Sequence, residues 1–159
     1  MFNSEREMQN TFVSLLKQRK TCGLIFEEVG NRNYFFRTDV VEYKSSLEII
    51  GYELKLSNFK KVIEQSIKTL SLYDKSYIVI PDDKYSFDNF FKTLDKYPEK
   101  IKEKIGVILL DREKYKIFKI ASKESNREYN NRYLVALIQD LIIRGYHKEG
   151  INRCKNYKW

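Results

Sequence analysis

A chain of 159 residues is the usual length of one compact domain, and its 42% of hydrophobic residues can supply a core. Two cysteines and one histidine argue against a disulfide framework and nearly exclude a His-rich zinc site or a histidine-based nucleophilic triad. The net charge of +8 favours a polyanionic partner such as nucleic acid, because lysine and arginine that neutralise phosphates release counterions.

A single domain is predicted over residues 1–159, with a core over about 4–120 and a C-terminal helical extension over about 126–159. The N-terminal residues are polar and include acids, unlike a secretory signal peptide. No uncharged stretch approaches the roughly 18 residues needed to cross a bilayer. We therefore expect a soluble, cytoplasmic protein that does not associate with membranes.

A helix, three strands and a second helix are predicted in the first half of the chain. Ser4 can cap the first helix, Glu7 follows at capping-box spacing, and apolar residues recur at helical spacing. The strands are rich in aromatic and β-branched residues, and a short polar turn separates the last two. Ser57 or Asn58 can cap the second helix. The predicted ranges are 4–19 for the first helix, 24–29, 34–43 and 47–56 for the strands, and 58–73 for the second helix.

The second half of the chain continues the alternation of strands and helices. A buried strand stops at Pro81, an amphipathic helix follows, two strands flank a polar turn, and a long helix closes the pattern. The predicted ranges are 76–80, 86–96, 105–110, 115–120 and 126–144. Strands joined by helical crossovers indicate an α/β fold, in which a mixed sheet is flanked by helices.

Three acid-x-lysine tripeptides occur, about as many as chance predicts from 22 acidic residues and 21 lysines. The tripeptide alone therefore identifies no site, and the predicted secondary structure around each one has to distinguish them. Glu53 and Lys55 lie late in a predicted strand, where side chains two apart share a face and stand about 7 Å from each other. The opposite face of that strand is apolar and can anchor it to the core. The tripeptide that begins at Glu42 should face away from this pair, and the one that begins at Asp82 follows a proline and is typical of a turn.

Asp39 lies inside the preceding strand, where aspartate is disfavoured. If the two strands are neighbours, Asp39 and Glu53 approach closely, and a divalent cation would relieve their repulsion. Mg²⁺ commonly takes one or two protein carboxylates and keeps its other positions for water and phosphate oxygens. The alternative is a salt-bridged pair of strands on a solvated face of the sheet.

The segments Arg37-Thr38-Asp39-Val40-Val41 and Gly51-Tyr52-Glu53-Leu54-Lys55, followed by Gln65, resemble the PD-(D/E)XK (restriction-endonuclease-like) nuclease superfamily. The resemblance covers roughly residues 4–110 and is strongest to small DNA-repair members of the MmcB type and to Holliday-junction-resolvase-like members. Thr38 stands where the family name has proline. The resemblance implies an αβββαβ core and a Mg²⁺-dependent endonuclease that hydrolyses DNA phosphodiester bonds in repair, recombination, restriction or mobile-element biology.

The resemblance also implies roles for individual residues. Asp39 and Glu53, with the backbone carbonyl of Leu54, would hold Mg²⁺, for which Mn²⁺ should substitute, and Glu5 could add a ligand. Lys55 would position the attacking water and stabilise charge on the phosphate oxygens. Gln65 would orient the residues that hold the ion. The catalytic residues implied are therefore Asp39, Glu53, Lys55, Glu5 and Gln65.

Residues 144–159 are predicted to be a basic tail that binds nucleic acid. They hold five basic residues against one acidic residue, which is half of the net charge, and interleaved aromatic residues offer stacking surfaces for bases. The basic residues are Arg144, Lys148, Arg153, Lys155 and Lys158. The alternative is a solvated tail whose aromatic residues dock on the domain.

Two other functions remain open from the sequence. The chain could be a catalytically inactive nucleic-acid-binding or interaction module on the same fold, or a nuclease directed at RNA. A homodimer would supply the two sites that cleavage of both strands of a duplex needs. The target sequence and the pathway leave no signal in the residues.

Overall fold

A computed structural model describes residues 1–21, 23–31, 36–46, 48–123 and 152–153. The predicted closing helix over 126–144 lies outside these ranges, as do most of the predicted nucleic-acid-binding residues. Those residues are Arg144, Lys148, Lys155 and Lys158. Arg153 lies in a two-residue strand. Within the described residues, no helix is both long enough and apolar enough to cross a membrane.

The elements alternate as the sequence predicts, with a helix, three strands, a helix and a strand in that order. The helices are α1 (Glu5–Gln18), α2 (Phe59–Thr69), α3 (Lys84–Leu94) and α4 (Glu99–Lys104), and a 3-10 turn spans Leu70–Leu72. The strands are β1 (Leu24–Asn31), β2 (Phe36–Tyr43), β3 (Ile49–Leu54), β4 (Lys75–Pro81), β5 (Ile105–Leu110), β6 (Tyr115–Lys119) and β7 (Asn152–Arg153). The prediction of an α/β fold is confirmed.

The strands form one mixed sheet in the order β6-β5-β4-β3-β2-β1-β7. β3, β4 and β5 run parallel to one another, whereas β1 and β2, β2 and β3, and β5 and β6 pair antiparallel. The parallel pairs need crossovers, which α2 provides between β3 and β4, and α3 with α4 between β4 and β5. The predicted mixed sheet with helices on its faces is therefore present.

Helices cover both faces of the sheet. On one face, the buried side chains of α1 (Met8, Phe12 and Leu16) pack with alternate residues of the central strands. On the other face, buried residues of α2 and α3, such as Val62 and Phe90, pack with the intervening residues of β4 and β5. Because β3 to β5 are buried on both faces, they carry continuous apolar runs, as parallel strands usually do.

Several element boundaries differ from the prediction. β3 ends at Leu54, so Lys55 lies just beyond the strand. The segment predicted as one helix over 58–73 ends as an α-helix at Thr69, and Asn58 caps it with a left-handed backbone (φ of 55°) and without a side-chain hydrogen bond. Helix α4 was not predicted, because its six residues contain a single apolar side chain and so carry no helical periodicity.

Gly51 allows the sheet to meet the buried ring of Tyr73. A Cβ atom at Gly51 would lie 2.4 Å from two carbon atoms of that ring, which is closer than any real contact. Tyr73 is almost fully buried, and its hydroxyl is hydrogen-bonded to the hydroxyl of Thr38 on β2. Thr38, which departs from the proline of the family pattern, therefore ties β2 to the segment after α2, next to Asp39.

Candidate metal site

Asp39 and Glu53 lie opposite each other on neighbouring strands. Val41 pairs with Gly51 and Val40 pairs with Tyr52, so the same register brings Asp39 across from Glu53. The Oδ2 atom of Asp39 accepts a hydrogen bond of 2.8 Å from the backbone N–H of Leu54. This bond fixes the Asp39 carboxylate at the carboxyl end of β3.

Glu53 is buried beside Asp39 with one oxygen unpaired. Its side chain is 5% exposed, and its Oε1 atom has no hydrogen-bond partner. Burial, and after it the negative charge of Asp39, raises the pKa of Glu53 to about 9. Burial also raises the pKa of Asp39, whereas the hydrogen bond from the Leu54 N–H lowers it. Near pH 7 Glu53 is therefore neutral and donates a hydrogen bond to the Asp39 carboxylate, so that the two carboxyl groups together carry one negative charge.

Lys55 and Glu5 meet at the edge of this pair. The Nζ atom of Lys55 lies 2.8 Å from Oε1 and 3.0 Å from Oε2 of Glu5, and the Lys55 side chain is only 18% exposed. The backbone N–H of Lys55 donates to the carbonyl of Val79 on β4, which continues the parallel pairing past the end of β3. Although α1 and α2 lie on different faces, the start of α1 thus reaches the end of β3.

The predicted cap of α1 explains how Glu5 comes to this position. The Ser4 hydroxyl accepts a hydrogen bond of 3.1 Å from the N–H of Glu7, as the sequence predicts. The Glu7 carboxylate reaches back to the N–H of Asn3 at 2.6 Å, one residue before the position expected for a capping box. Glu5 is therefore the first residue of the helix, and its side chain is half-exposed beside Lys55.

The structure adds Glu28 to this group, a residue that sequence analysis missed. β1 and β2 pair in one register on both sides of Glu28 and Asp39, but these two residues do not pair with each other. Glu28 has a left-handed backbone with φ of 53°. This conformation raises the free energy of a residue with a side chain by roughly 1 kcal/mol. Its negative charge raises the pKa of both Asp39 and Glu53. Nothing in the alternating pattern of β1 distinguishes Glu28, so its backbone conformation could not be foreseen.

Arg37 is the ion-pair partner of Glu28. Its Nε atom lies 2.7 Å from Oε2 of Glu28, and its side chain is largely exposed. Arg37 precedes Asp39 by two residues on β2. The exposed guanidinium group of Arg37 therefore partly balances the negative charge of Glu28, Asp39 and Glu53.

Gln65 is not brought into contact with the acidic pair. It lies half-buried on α2, next to the buried Ser66. Among the hydrogen bonds of the described residues, none joins its side chain to Asp39 or Glu53. The role that the resemblance implies for Gln65 therefore stays a prediction.

The other two acid-x-lysine tripeptides have structural contacts of their own. Glu42 is fully buried, and its carboxylate accepts hydrogen bonds from Arg19, from the N–H of Gly23 and from the Tyr52 hydroxyl, away from Asp39. Asp82 lies after the end of β4, 3.2 Å from Lys116. The carboxylate of Asp83, which follows Asp82, accepts hydrogen bonds from the N–H and the hydroxyl of Ser86 at the start of α3.

The donor set suits a small divalent cation that keeps several water ligands. Across the described ranges, no group of three or more histidine, cysteine, aspartate or glutamate side chains is arranged to hold a metal ion. Two carboxylates, one of them with an unpaired buried oxygen, nevertheless match the one or two protein carboxylates that Mg²⁺ commonly takes. The raised pKa of Glu53 fits a site that loses a proton when a cation binds.

Comparisons with known proteins give a fold and no family. No family model matches the chain, and no curated protein matches it. A solved structure of a protein of unknown function from Silicibacter pomeroyi is similar, with a TM-score of 0.53 and 16% identity over 78% of each chain. At that identity the likeness supports the α/β fold alone.

Proposed function

We propose that this chain is a Mg²⁺-dependent endonuclease of the PD-(D/E)XK type, with an αβββαβ core formed by α1 to β4, and that it hydrolyses DNA phosphodiester bonds. The observation that carries the proposal is the pair of half-buried Asp39 and buried Glu53, in which one Glu53 oxygen has no hydrogen-bond partner and Lys55 follows two residues later at the end of β3. A salt-bridged pair on a solvated face would look different. Glu53 is buried, and Lys55 forms its ion pair with Glu5.

Each residue of the site has its own role in the proposed hydrolysis. Asp39, Glu53 and the carbonyl of Leu54 would hold Mg²⁺, which when bound lowers the pKa of its water and polarises the phosphate. Glu53 must give up its proton to do so. Lys55 donates hydrogen bonds to the attacking water or to a phosphate oxygen, and Glu5 keeps its ammonium group at the site. The burial of Glu53 and the partial burial of Asp39 keep these charges in a medium of lower dielectric than water, where they act more strongly.

DNA is the proposed substrate because the chain is strongly basic. The basic tail over 144–159 would add phosphate contacts, and Arg153 in β7 lies at the edge of the sheet beside β1. A homodimer would let two sites act on the two strands of a duplex. An RNA substrate would use the same chemistry.

A second candidate is an interaction module that binds nucleic acid without cleaving it. The observation that favours it is the lack of a third ligating side chain around Asp39 and Glu53 in the described part of the chain. Such a module would keep its affinity for nucleic acid when divalent cations are removed.

The test is cleavage of supercoiled plasmid DNA and of single-stranded RNA by purified protein, with Mg²⁺, Mn²⁺ or EDTA. We expect Mg²⁺-dependent nicking that Asp39→Asn lowers by about 100-fold, since one ligand is lost. Glu64→Gln, a similar change at an exposed position on α2, should leave the rate unchanged. Cleavage of RNA alone would change the substrate, and binding without any cleavage would favour the interaction module. Asp39→Asn as active as the natural protein would contradict the proposed site.

A further inference from the structure

The ladder between β1 and β2 is interrupted where it passes the metal site. Glu27 pairs with Val40 and Val29 pairs with Thr38, so the register is the same before and after the gap. No extra residue has to be accommodated, and strand pairing alone does not require the left-handed backbone of Glu28. A strained backbone that the surrounding strands retain is a reason to ask what its side chain does.

The Glu28 carboxylate is close enough to the site for its negative charge to raise the pKa of Asp39 and of Glu53. Glu28 lies across the sheet from Asp39, and Asp39 lies across from Glu53, so three acids follow one another on three neighbouring strands. A row of acids alone does not define a ligand site. The independent observation is that the Oε1 atom of Glu53 is buried and has no hydrogen-bond partner, as expected of an oxygen that binds a cation.

We infer that Glu28 is a positioning residue of the metal site, which accepts a hydrogen bond from a water ligand of the cation that Asp39 and Glu53 hold. This inference rests on the proposed function. Contact through water agrees with the lack of a three-carboxylate group in the described residues. It also agrees with the 36% exposure of the Glu28 side chain, which leaves room for water. The ion pair with Arg37 engages the Oε2 atom of the same carboxylate.

The test is calorimetric titration of the full chain with Mn²⁺, in the natural protein and in four variants. Glu28→Gln is expected to weaken Mn²⁺ binding by about 10-fold or more, as the loss of partners around metal ligands commonly does. Glu27→Gln is the matched control, because this neighbour points to α1 and accepts a hydrogen bond from Gln9. Arg37→Gln removes the same ion pair but keeps the carboxylate, so Mn²⁺ should bind with unchanged or higher affinity.

The outcomes separate this inference from the proposed function. Mn²⁺ binding in Glu28→Gln equal to that of the natural protein, or an equal loss in Glu27→Gln or Arg37→Gln, would overturn the role of Glu28 and leave the site of Asp39 and Glu53 standing. No Mn²⁺ binding to the natural protein would overturn both. Melting temperatures without cation serve as the check on folding, and Glu28→Asp should recover part of the affinity lost in Glu28→Gln.

Discussion

Replacing Lys55 with methionine is expected to lower the rate of Mg²⁺-dependent DNA cleavage by about 100- to 1,000-fold, the usual cost of removing one positioned charge from an active site. Methionine keeps the apolar stem of the side chain but loses the ammonium group. Lys55 pairs with Glu5, whose side chain is 46% exposed, so the free energy of unfolding should change by no more than about 1 kcal/mol. Mn²⁺ binding should persist, because Lys55 is not a ligand.

Lys44→Met is the matched control for this experiment. Lys44 follows Glu42 with the same acid-x-lysine spacing, but it lies just past the end of β2 that is remote from Asp39. We expect Lys44→Met to cleave DNA at nearly the natural rate. Equal losses in the two variants would mean that the net charge of the protein matters and the position of Lys55 does not. Nearly full activity in Lys55→Met would remove Lys55 from the mechanism.

Replacing Glu53 with glutamine should stabilise the cation-free protein at pH 8 to 9. The folded state holds the Glu53 proton up to about pH 9, whereas the ordinary pKa is 4.5. This group therefore stabilises the fold fully below about pH 4.5, and the contribution is lost as the pH rises towards 9. The loss is at most about 1.4 kcal/mol per pH unit, or roughly 3 °C in melting temperature for a domain of this size. Glutamine stays neutral, so its variant should lack this slope.

Glu42→Gln is the control with the opposite expected sign. Glu42 is also buried, but its carboxylate is paired with Arg19 and hydrogen-bonded by Gly23 and Tyr52. Loss of that charge should destabilise the protein by roughly 2–3 kcal/mol, somewhat less than the usual cost of breaking a buried pair because Arg19 is partly exposed. Thermal melts from pH 5 to pH 9 in EDTA measure both variants. A Glu53→Gln protein that is destabilised in the same way as Glu42→Gln would show that Glu53 is ionised and already has a partner.

The local pattern of the chain is sufficient to predict the main parts of the site. Ser4 with Glu7 predicts where α1 begins, and the Ser4 cap is present. Two aromatic and β-branched runs around a short polar turn predict the β2–β3 hairpin. Because alternate side chains share a face, the predicted hairpin brings Asp39 and Glu53 together, which is how the two residues lie in the structure.

What the pattern could not supply depends on tertiary contacts. The left-handed backbone of Glu28 is set by the neighbouring strands and leaves no mark on the alternation of β1. β3 ends before Lys55 because the chain then turns towards α2, although the apolar alternation continues to Leu56. Helix α4 has only Ile101 as an apolar residue, so its place is determined by the strands that it connects.

The central claim, that Asp39 and Glu53 hold a divalent cation, is tested most directly by calorimetric titration of the protein with Mn²⁺ at pH 7.5 in buffers of different ionisation enthalpy. Because the pKa of Glu53 is raised to about 9, binding should release about one proton per ion. Asp39→Asn and Glu53→Gln should each weaken binding by about 100-fold or more. Mn²⁺ binding that releases no proton and survives both substitutions, or no binding at all, would contradict the claim.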